Sequence, residues 1–243
     1  MNKYERNIGS VVIFIIILLV IGVGGYFLIT NLPKKDNNTN NNTNETKSIK
    51  KEIDKDYVYF INEEFLNKKY ELKYKDIVIN INSDDATKVE KELNDQMASI
   101  KNNVTKVSDV EGLDTTNLDE ADDIYEAEMV DYEVVETDKY ISITANDYIF
   151  KLETEAVNSK LTYYVFDLQN GKLLSNRDIL NKEGKTDQEI RSKIREYVSG
   201  DENVDIDATL NHEYNLSISK TGKIVINTTV KTNGLDYSVS IEI

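Results

Sequence analysis

The strongest feature in the pattern of hydrophobic and polar positions is one long apolar segment. Residues 7–33 contain no charge, and residues 11–21 are entirely aliphatic or aromatic. About 20 apolar residues, each rising 1.5 Å along a helix, cross the roughly 30 Å hydrocarbon core of a bilayer. The pattern therefore predicts a transmembrane helix over residues 8–32, after a short cytoplasmic tail at residues 1–7. A cleaved signal peptide is the alternative, although the stretch is long for one and lacks a cleavage site of small residues.

Residues 33–52 differ sharply in composition from the apolar segment and are rich in asparagine. Such a segment has too little apolar surface to offset the entropy lost on ordering, so we predict a flexible linker. Positive residues flank the apolar segment on both sides, at Lys3, Arg6, Lys34 and Lys35. The positive-inside rule therefore gives almost no preference for either orientation of the helix. Because long domains translocate largely regardless of charge, we expect a single-pass cell-membrane protein with residues 53–243 outside the cytoplasm.

Two stretches of residues 53–243 show the three-to-four-residue spacing of an amphipathic helix. The first covers about residues 84–104 and places its apolar side chains on one face. The second covers residues 187–198 and follows a capping box formed by Thr186 and Glu189. We therefore predict two main amphipathic helices in this part of the chain.

Segments that are rich in β-forming residues make up much of the remainder. They lie at residues 57–61, 76–81, 124–136, 139–153, 161–168, 213–219, 223–231 and 235–243. Runs of strands with helices between them, rather than strict alternation, favour antiparallel pairing. We therefore predict an α+β fold in which one antiparallel sheet carries the two main helices, preceded by the transmembrane helix. A sub-division of the folded part is possible near residues 105–123.

The folded part is strongly acidic. Residues 51–243 hold 23 basic and 41 acidic side chains, a net charge of −18. This charge disfavours binding to nucleic acid or anionic lipid, because phosphate recognition needs a basic surface. Residues 109–138 contain thirteen acids and no lysine or arginine. That run is compatible with a Ca²⁺ site, since hard cations take several carboxylate oxygens, and equally with a solvated loop followed by an amphipathic strand.

Candidate catalytic chemistry is sparse in this sequence. It has no cysteine, its one histidine is His212, and it contains no G-x-S-x-G nucleophile elbow. His212 and Glu213 begin like the zinc motif H-E-x-x-H, but Leu216 occupies the last position and cannot bind a metal. Carboxylate pairs of the glycosidase kind are distinguished only by their separation in space. We predict no catalytic residue and no cofactor.

One polar segment has the spacing of a calcium-binding loop. Side-chain oxygens occur at alternating positions, on Asp201, Asn203, Asp205 and Asp207. Ile206 stands at the sixth position, where such a loop has glycine, and His212 stands at the twelfth, where a bidentate glutamate belongs. The four residues are candidate metal ligands, with an ordinary polar loop as the alternative.

Short motifs in the second half of the chain follow one another in a recognisable order. They are a strand at residues 163–168, a turn containing Gly171 and Lys172, and a short L-x-D-L-like helix at residues 175–180. The helix at 187–198 and a hairpin around residues 222–226 follow. This order resembles the PdaC/RsiV-like extracytoplasmic domains, and residues 57–105 are similar to the smaller domain that usually precedes them. The resemblance implies a bacterial envelope domain, of a kind found in a lysozyme-sensing anti-sigma factor and beside the catalytic domain of a peptidoglycan deacetylase.

The sequence differs from that family in the segments on which the known activities of its members depend. Residues 153–158 read ETEAVN, where members often carry Gly-x-x-His, and the seven-residue tail is short for a sigma-binding domain. Residues 1–243 contain no segment that resembles a deacetylase domain. We therefore expect a membrane-anchored, non-enzymatic envelope protein whose outer domain binds or senses a cell-wall glycan or an envelope protein. The alternatives are a signalling regulator related to anti-sigma factors and a divergent hydrolase that uses carboxylates.

Overall fold

The computed structural model of the protein describes residues 56–119, 122–152 and 157–243. The predicted tail, transmembrane helix and linker, at residues 1–7, 8–32 and 33–52, lie outside these ranges. Within the ranges, no helix combines the length and the apolar character that crossing a bilayer requires.

Nine strands in the described ranges form three antiparallel sheets. The first sheet pairs β1 (Val58–Asn67) with β2 (Leu72–Ile79). The second has the order β3 (Val104–Lys106), β4 (Ile124–Glu136), β5 (Tyr140–Lys151), β6 (Val157–Asp167). The third has the order β7 (Tyr214–Ile218), β8 (Ile224–Val230), β9 (Tyr237–Glu242).

The helices of this part are interleaved with the sheets. Helix α1 (Asp84–Ile100) separates the first sheet from the second. Three further helices separate the second sheet from the third: α2 (Asn176–Lys182), α3 (Asp187–Val198) and α4 (Ile206–Asn211). The four begin at polar caps whose side chains accept from the first turn, at Ser83, Ser175, Thr186 and Asp205. Each cap satisfies a backbone N–H that has no partner within its helix.

The predicted fold class is wrong. The strands do not form one antiparallel sheet that carries two main helices, because they divide into three separate sheets. The individual elements were placed well: β4 and α3 have the predicted bounds, and α1 begins at the predicted residue. Alternation along a strand identifies its two faces but does not identify the strand it pairs with. The division occurs where α1 and the α2–α4 segment interrupt the series of hairpins.

Two hydrophobic cores lie against the second sheet. Ile141, Ile143 and Phe166 enter one core, which also contains the apolar faces of β2 and α1. Tyr140 and Val165 enter the other core, which contains the buried residues of α2, α3 and the third sheet. Because neighbouring residues of a strand point to opposite faces, these assignments put one core on each side of the sheet where β5 and β6 pair.

Side chains close the outer edges of two strands. Asn94 of α1 donates to the Ile77 carbonyl and accepts from the Ile77 N–H, both at 2.9 Å, on the free edge of β2. Asn176 does the same for β7, donating to the Tyr214 carbonyl at 2.8 Å and accepting from the Leu216 N–H at 3.0 Å. Backbone groups that would otherwise be buried without partners are therefore hydrogen-bonded.

Candidate functional site

A polar cleft of about 480 Å³ opens at one end of the second sheet and is lined by residues of both cores. Four pieces of the chain form it: the start of β1, the β4–β5 turn, the end of β6 and the end of α2. Its lining residues are Tyr57, Asp138, Lys139, Tyr140, Asp167, Leu168, Gln169, Lys182 and Glu183. We refer to this as the Tyr140–Glu183 cleft.

Tyr140 is the buried aromatic side chain of the cleft, with 3% of its surface exposed. The Thr137 hydroxyl holds the preceding turn, since it accepts from the Tyr140 N–H at 2.9 Å and donates to the Tyr140 carbonyl at 3.0 Å. The Tyr140 hydroxyl donates to Oε1 of Glu183, which caps the end of α2. Burial and this hydrogen bond raise the pKa of Tyr140, so the phenol stays protonated.

Asp167 is a buried carboxylate on β6, directly across the strand pair from Tyr140, with 3% of its surface exposed. Its Oδ2 lies 2.9 Å from Lys182 Nζ, and its Oδ1 accepts from the Gln169 N–H at 3.0 Å. A buried charge is tolerated only when it is paired and hydrogen-bonded. The Lys182 ion pair therefore fixes the end of β6 to the last turn of α2.

The turn beyond Asp167 is held from outside the cleft. The sequence pattern at Asn170 and Gly171 predicts a tight turn, and this is confirmed: the Gly171 N–H donates to the Asp167 carbonyl at 2.7 Å, and Gly171 has a φ of 71°. Residues at the start of α1 then bind this turn. Ser83 donates to the Gly171 carbonyl at 2.7 Å, and Asp85 accepts from the Leu173 N–H at 2.9 Å. The wall of the cleft is thus anchored to both cores.

The chemistry of the cleft is that of a fixed set of hydrogen-bonding groups. Tyr140 and Asp167 are buried in the wall and contact Glu183 and Lys182, whereas Lys139 and Gln169 are exposed at the rim. Acids and bases are nearly balanced, with three carboxylates and two lysines in the lining. Such a surface suits a neutral ligand with many hydroxyl or amide groups better than a strongly charged one.

The candidate metal ligands are used within the protein. Asp201 Oδ1 accepts from the backbone and side-chain nitrogens of Asn203, at 2.9 and 3.2 Å. Asp205 caps α4 through its bond from the Ala208 N–H at 2.9 Å, and Asp207 is exposed in the first turn of that helix. Across residues 56–119, 122–152 and 157–243, no three acidic or histidine side chains are grouped in a way that could hold a metal ion.

The acidic run at residues 109–138 has a structural use at its centre. Asp122 Oδ1 accepts from Lys69 Nζ at 2.7 Å and from the Tyr70 hydroxyl at 2.8 Å. Its Oδ2 accepts from the Asp119 N–H at 3.0 Å, and Asp123 accepts from Asn67 Nδ2 at 2.6 Å. The hydrogen bonds from Lys69 and Tyr70 lower the pKa of Asp122 to about 2. These two acids fasten the acidic loop to the β1–β2 turn.

A carboxylate pair also occurs on the second sheet. Glu128 and Asp147 are close enough for a side-chain hydrogen bond, and Asp147 also accepts from Gln96 Nε2 at 2.9 Å. Burial raises the pKa of Glu128, and the Asp147 charge and the shared hydrogen bond raise it further. Glycosidase carboxyl groups stand about 5 to 9.5 Å apart, to admit a sugar or a water. A pair in hydrogen-bond contact does not match that geometry.

Sequence reasoning missed the residues of the cleft. Tyr140 and Asp167 are near in space because β5 and β6 pair, and Lys182 and Glu183 join them only when α2 packs on the sheet. The one available signal was Asp167 itself, a carboxylate at the end of the apolar strand. His212, which the sequence singled out, is the half-buried residue that ends α4.

Comparison with known proteins adds no assignment to this geometry. Neither a scan against models of protein families nor a search of curated proteins found a match to the chain.

Proposed function

We propose that this protein is a non-enzymatic envelope protein, whose folded part binds a hydroxyl-rich cell-wall glycan in the Tyr140–Glu183 cleft. The observation that supports it most is the construction of the cleft. Its buried carboxylate, Asp167, is paired with Lys182 in the wall, while an aromatic residue, an amide and a second lysine also line the cleft.

The chemistry of a glycan fits these groups. Sugar hydroxyls act both as donors and as acceptors, so a mixed wall of carboxylates, amide and ammonium can bond them without leaving a buried charge unpaired. Aromatic side chains offer apolar area for the C–H face of a sugar ring, and the half-buried Tyr57 supplies it. The strongly acidic folded part disfavours anionic polymers, such as nucleic acid, as the ligand.

The site of action in this proposal is the outer side of the cell membrane. The support for it comes from the sequence: the apolar segment at residues 8–32 and the polar linker after it. A linker of about 20 residues that behaves as a flexible chain spans roughly 25 Å, by square-root scaling. That reach would bring the cleft to the material next to the membrane.

Binding to cell-wall glycan tests the proposal. The full chain is reconstituted in detergent micelles and co-sedimented with purified insoluble peptidoglycan over a range of glycan concentrations. We expect saturable binding, and we expect that replacing both Lys139 and Gln169 by alanine weakens it at least about tenfold, which corresponds to losing roughly 1.4 kcal/mol of binding free energy.

The matched control replaces the same residue types elsewhere. Lys220 and Gln188 are also exposed and lie outside the cleft, so Lys220→Ala with Gln188→Ala should leave binding unchanged. Equal loss in the two double variants would point to non-specific adhesion, and no saturable binding by the unsubstituted chain would overturn the proposal.

A further inference from the structure

Strand β9 has an open outer edge, unlike β2 and β7, whose outer edges are hydrogen-bonded to side chains. Asn94 closes the edge of β2, and Asn176 closes that of β7 together with Ser142, whose hydroxyl accepts from the Ile218 N–H at 3.2 Å. In β1 the pairing shifts between Ile61 and Glu64, where Asn62 has a φ of 53°. A bulge with charged neighbours discourages pairing with another strand.

The outward-pointing backbone groups of β9 can be identified from the ladder. Val225 to Val230 pair with Glu242 to Tyr237 without a register shift. The Ile243 N–H donates to the Ile224 carbonyl at 2.9 Å, so Ile243 and every second residue before it turn their N–H and C=O groups towards β8. Ser238, Ser240 and Glu242 therefore direct their backbone groups outwards. In the described part of the chain no hydrogen bond reaches these groups, and all three residues are exposed.

Exposed apolar side chains collect beside this edge. Leu235 has 91% of its surface exposed and Tyr237 has 42%. Tyr197 of α3, with 54% exposed, lies near Tyr237. Val239 and Ile241 are half-buried on the same face of β9 as Tyr237. An unpaired edge next to an apolar patch is a common arrangement for strand addition.

We propose that β9 pairs with β9 of a second copy of this chain, in antiparallel register about Ser240, so that the two third sheets join into one sheet of six strands. A second copy fits this edge because the edge is complementary to itself. In this register Ser240 faces Ser240 of the second copy, and each Ser238 faces Glu242. All three outward-pointing residues of each strand then exchange hydrogen bonds.

The charge pattern selects this register over the neighbouring one. A two-fold axis at Val239 would leave only Ser238 and Ser240 exchanging bonds within the strand, and it would put Glu242 opposite Asp236 of the other copy. Like charges directly opposite destabilise a ladder. With the axis at Ser240, Glu242 faces an uncharged serine and keeps its own partner, Lys223, at 3.3 Å. The same register sets Val239 against Ile241 and extends the apolar face across the join.

Single cysteines test the register, because the natural chain contains none. Residues in a hydrogen-bonded antiparallel pair have Cα atoms about 5.5 Å apart, which is within the range for a disulfide. Cysteines at position 238 of the two copies would be offset by four residues, or roughly 13 Å, and would not bridge. The full chain is oxidised in detergent micelles at dilute concentration, and the disulfide-linked dimer is followed on non-reducing gels.

We expect Ser240→Cys to form the disulfide dimer about tenfold faster than Ser238→Cys, since pairing raises the effective concentration of the two thiols. Equal rates would mean random collision and would overturn the proposal. So would a Ser240→Cys variant that cross-links in cells only to a different protein, which would identify another occupant of the edge.

A proline variant gives an independent measurement. Proline at position 240 removes an outward N–H without breaking a bond to β8, whereas alanine removes only the serine hydroxyl and its bond to Asn227. Sedimentation velocity of the full chain should show dimer for the unsubstituted protein and Ser240→Ala, and monomer for Ser240→Pro with an unchanged circular dichroism spectrum. A monomeric unsubstituted protein, or a Ser240→Pro variant that still dimerises, contradicts the proposal.

Discussion

At the scale of single residues, Asp122 illustrates how an acid-rich segment becomes a structural contact. Its side chain is only 6% exposed, and it accepts three hydrogen bonds, one of them from the Lys69 ammonium. These bonds favour the charged form, which is why its pKa falls to about 2. The acidic composition of residues 109–138 did not indicate this use, because the partners Lys69 and Tyr70 lie more than fifty positions away.

The protonation of Asp122 should therefore be linked to stability. A carboxyl whose pKa is depressed in the folded state stabilises it above the unfolded pKa of 3.8 and loses that effect as the pH falls through about 2. We expect Asp122→Asn to lower the thermal midpoint at pH 7, and the gap from the unsubstituted protein to close as the pH falls from about 4 to about 2. Thermal melts monitored by circular dichroism across that range measure both effects.

Asp109→Asn is the appropriate control, because Asp109 is exposed and shares the same loop region. Its melts should follow those of the unsubstituted protein at each pH. If the Asp122→Asn midpoint equals the unsubstituted value at pH 7, the contact with Lys69 and Tyr70 contributes nothing to stability.

At the scale of secondary-structure elements, α1 stabilises the first sheet through more than its apolar face. Asn94 supplies both hydrogen bonds to Ile77, a fully buried residue, and Glu90 accepts from the Ile79 N–H at 2.6 Å. A two-stranded ribbon is only marginally stable by itself. The helix thus takes the place of a third strand along the edge of β2.

Removing the Asn94 amide should expose that dependence. Asn94→Ala leaves the Ile77 N–H and C=O without partners, at about 1 to 3 kcal/mol for each buried group. We expect a loss of roughly 2 to 6 kcal/mol in the free energy of unfolding. Urea denaturation gives this quantity.

The comparison variant is Asp95→Ala. Asp95 follows Asn94 in the same helix, and its substitution removes only an exposed ion pair with Lys91. Exposed pairs of this spacing contribute about 0.3 to 0.5 kcal/mol, so its effect should be several-fold smaller. Equal losses would show that helix stability, and not closure of the β2 edge, is what Asn94 supplies.

Elements with a long, regular pattern were predictable, and elements defined by tertiary contacts were not. The alternation in β4 and the capping box of α3 are local signals, and both predicted ranges are confirmed. Strand β1 was predicted to end at residue 61 but continues to Asn67, because pairing with β2 carries a polar stretch through a bulge. The three-residue β3 and the six-residue α4 were missed, since so few residues show no periodicity.

At the scale of the whole molecule, the main electrostatic feature is the excess of acidic side chains, which acts over the whole surface and not through one contact. The folded part has a net charge of −18 from residues 51–243, so its carboxylates repel one another over the whole surface. The ion pairs that oppose this are mostly exposed, such as Lys193 with Glu196 and Lys223 with Glu242. Exposed pairs contribute at most about 1 kcal/mol each, and many contribute less.

Salt should therefore stabilise this protein. It screens both the repulsion between carboxylates and the attraction within exposed ion pairs, and here the repulsion is the larger of the two. The Debye length falls from about 30 Å at 0.01 M to about 10 Å at 0.1 M, so the added salt screens the longer-range part of this repulsion. We expect the thermal midpoint to rise by several degrees between those sodium chloride concentrations. Reduced repulsion between copies also favours the proposed dimer, so the melts are compared for the unsubstituted protein and Ser240→Pro. A similar rise in both assigns the effect to repulsion within one folded chain, a rise confined to the unsubstituted protein assigns it to dimerisation, and a fall in both means that the surface ion pairs dominate.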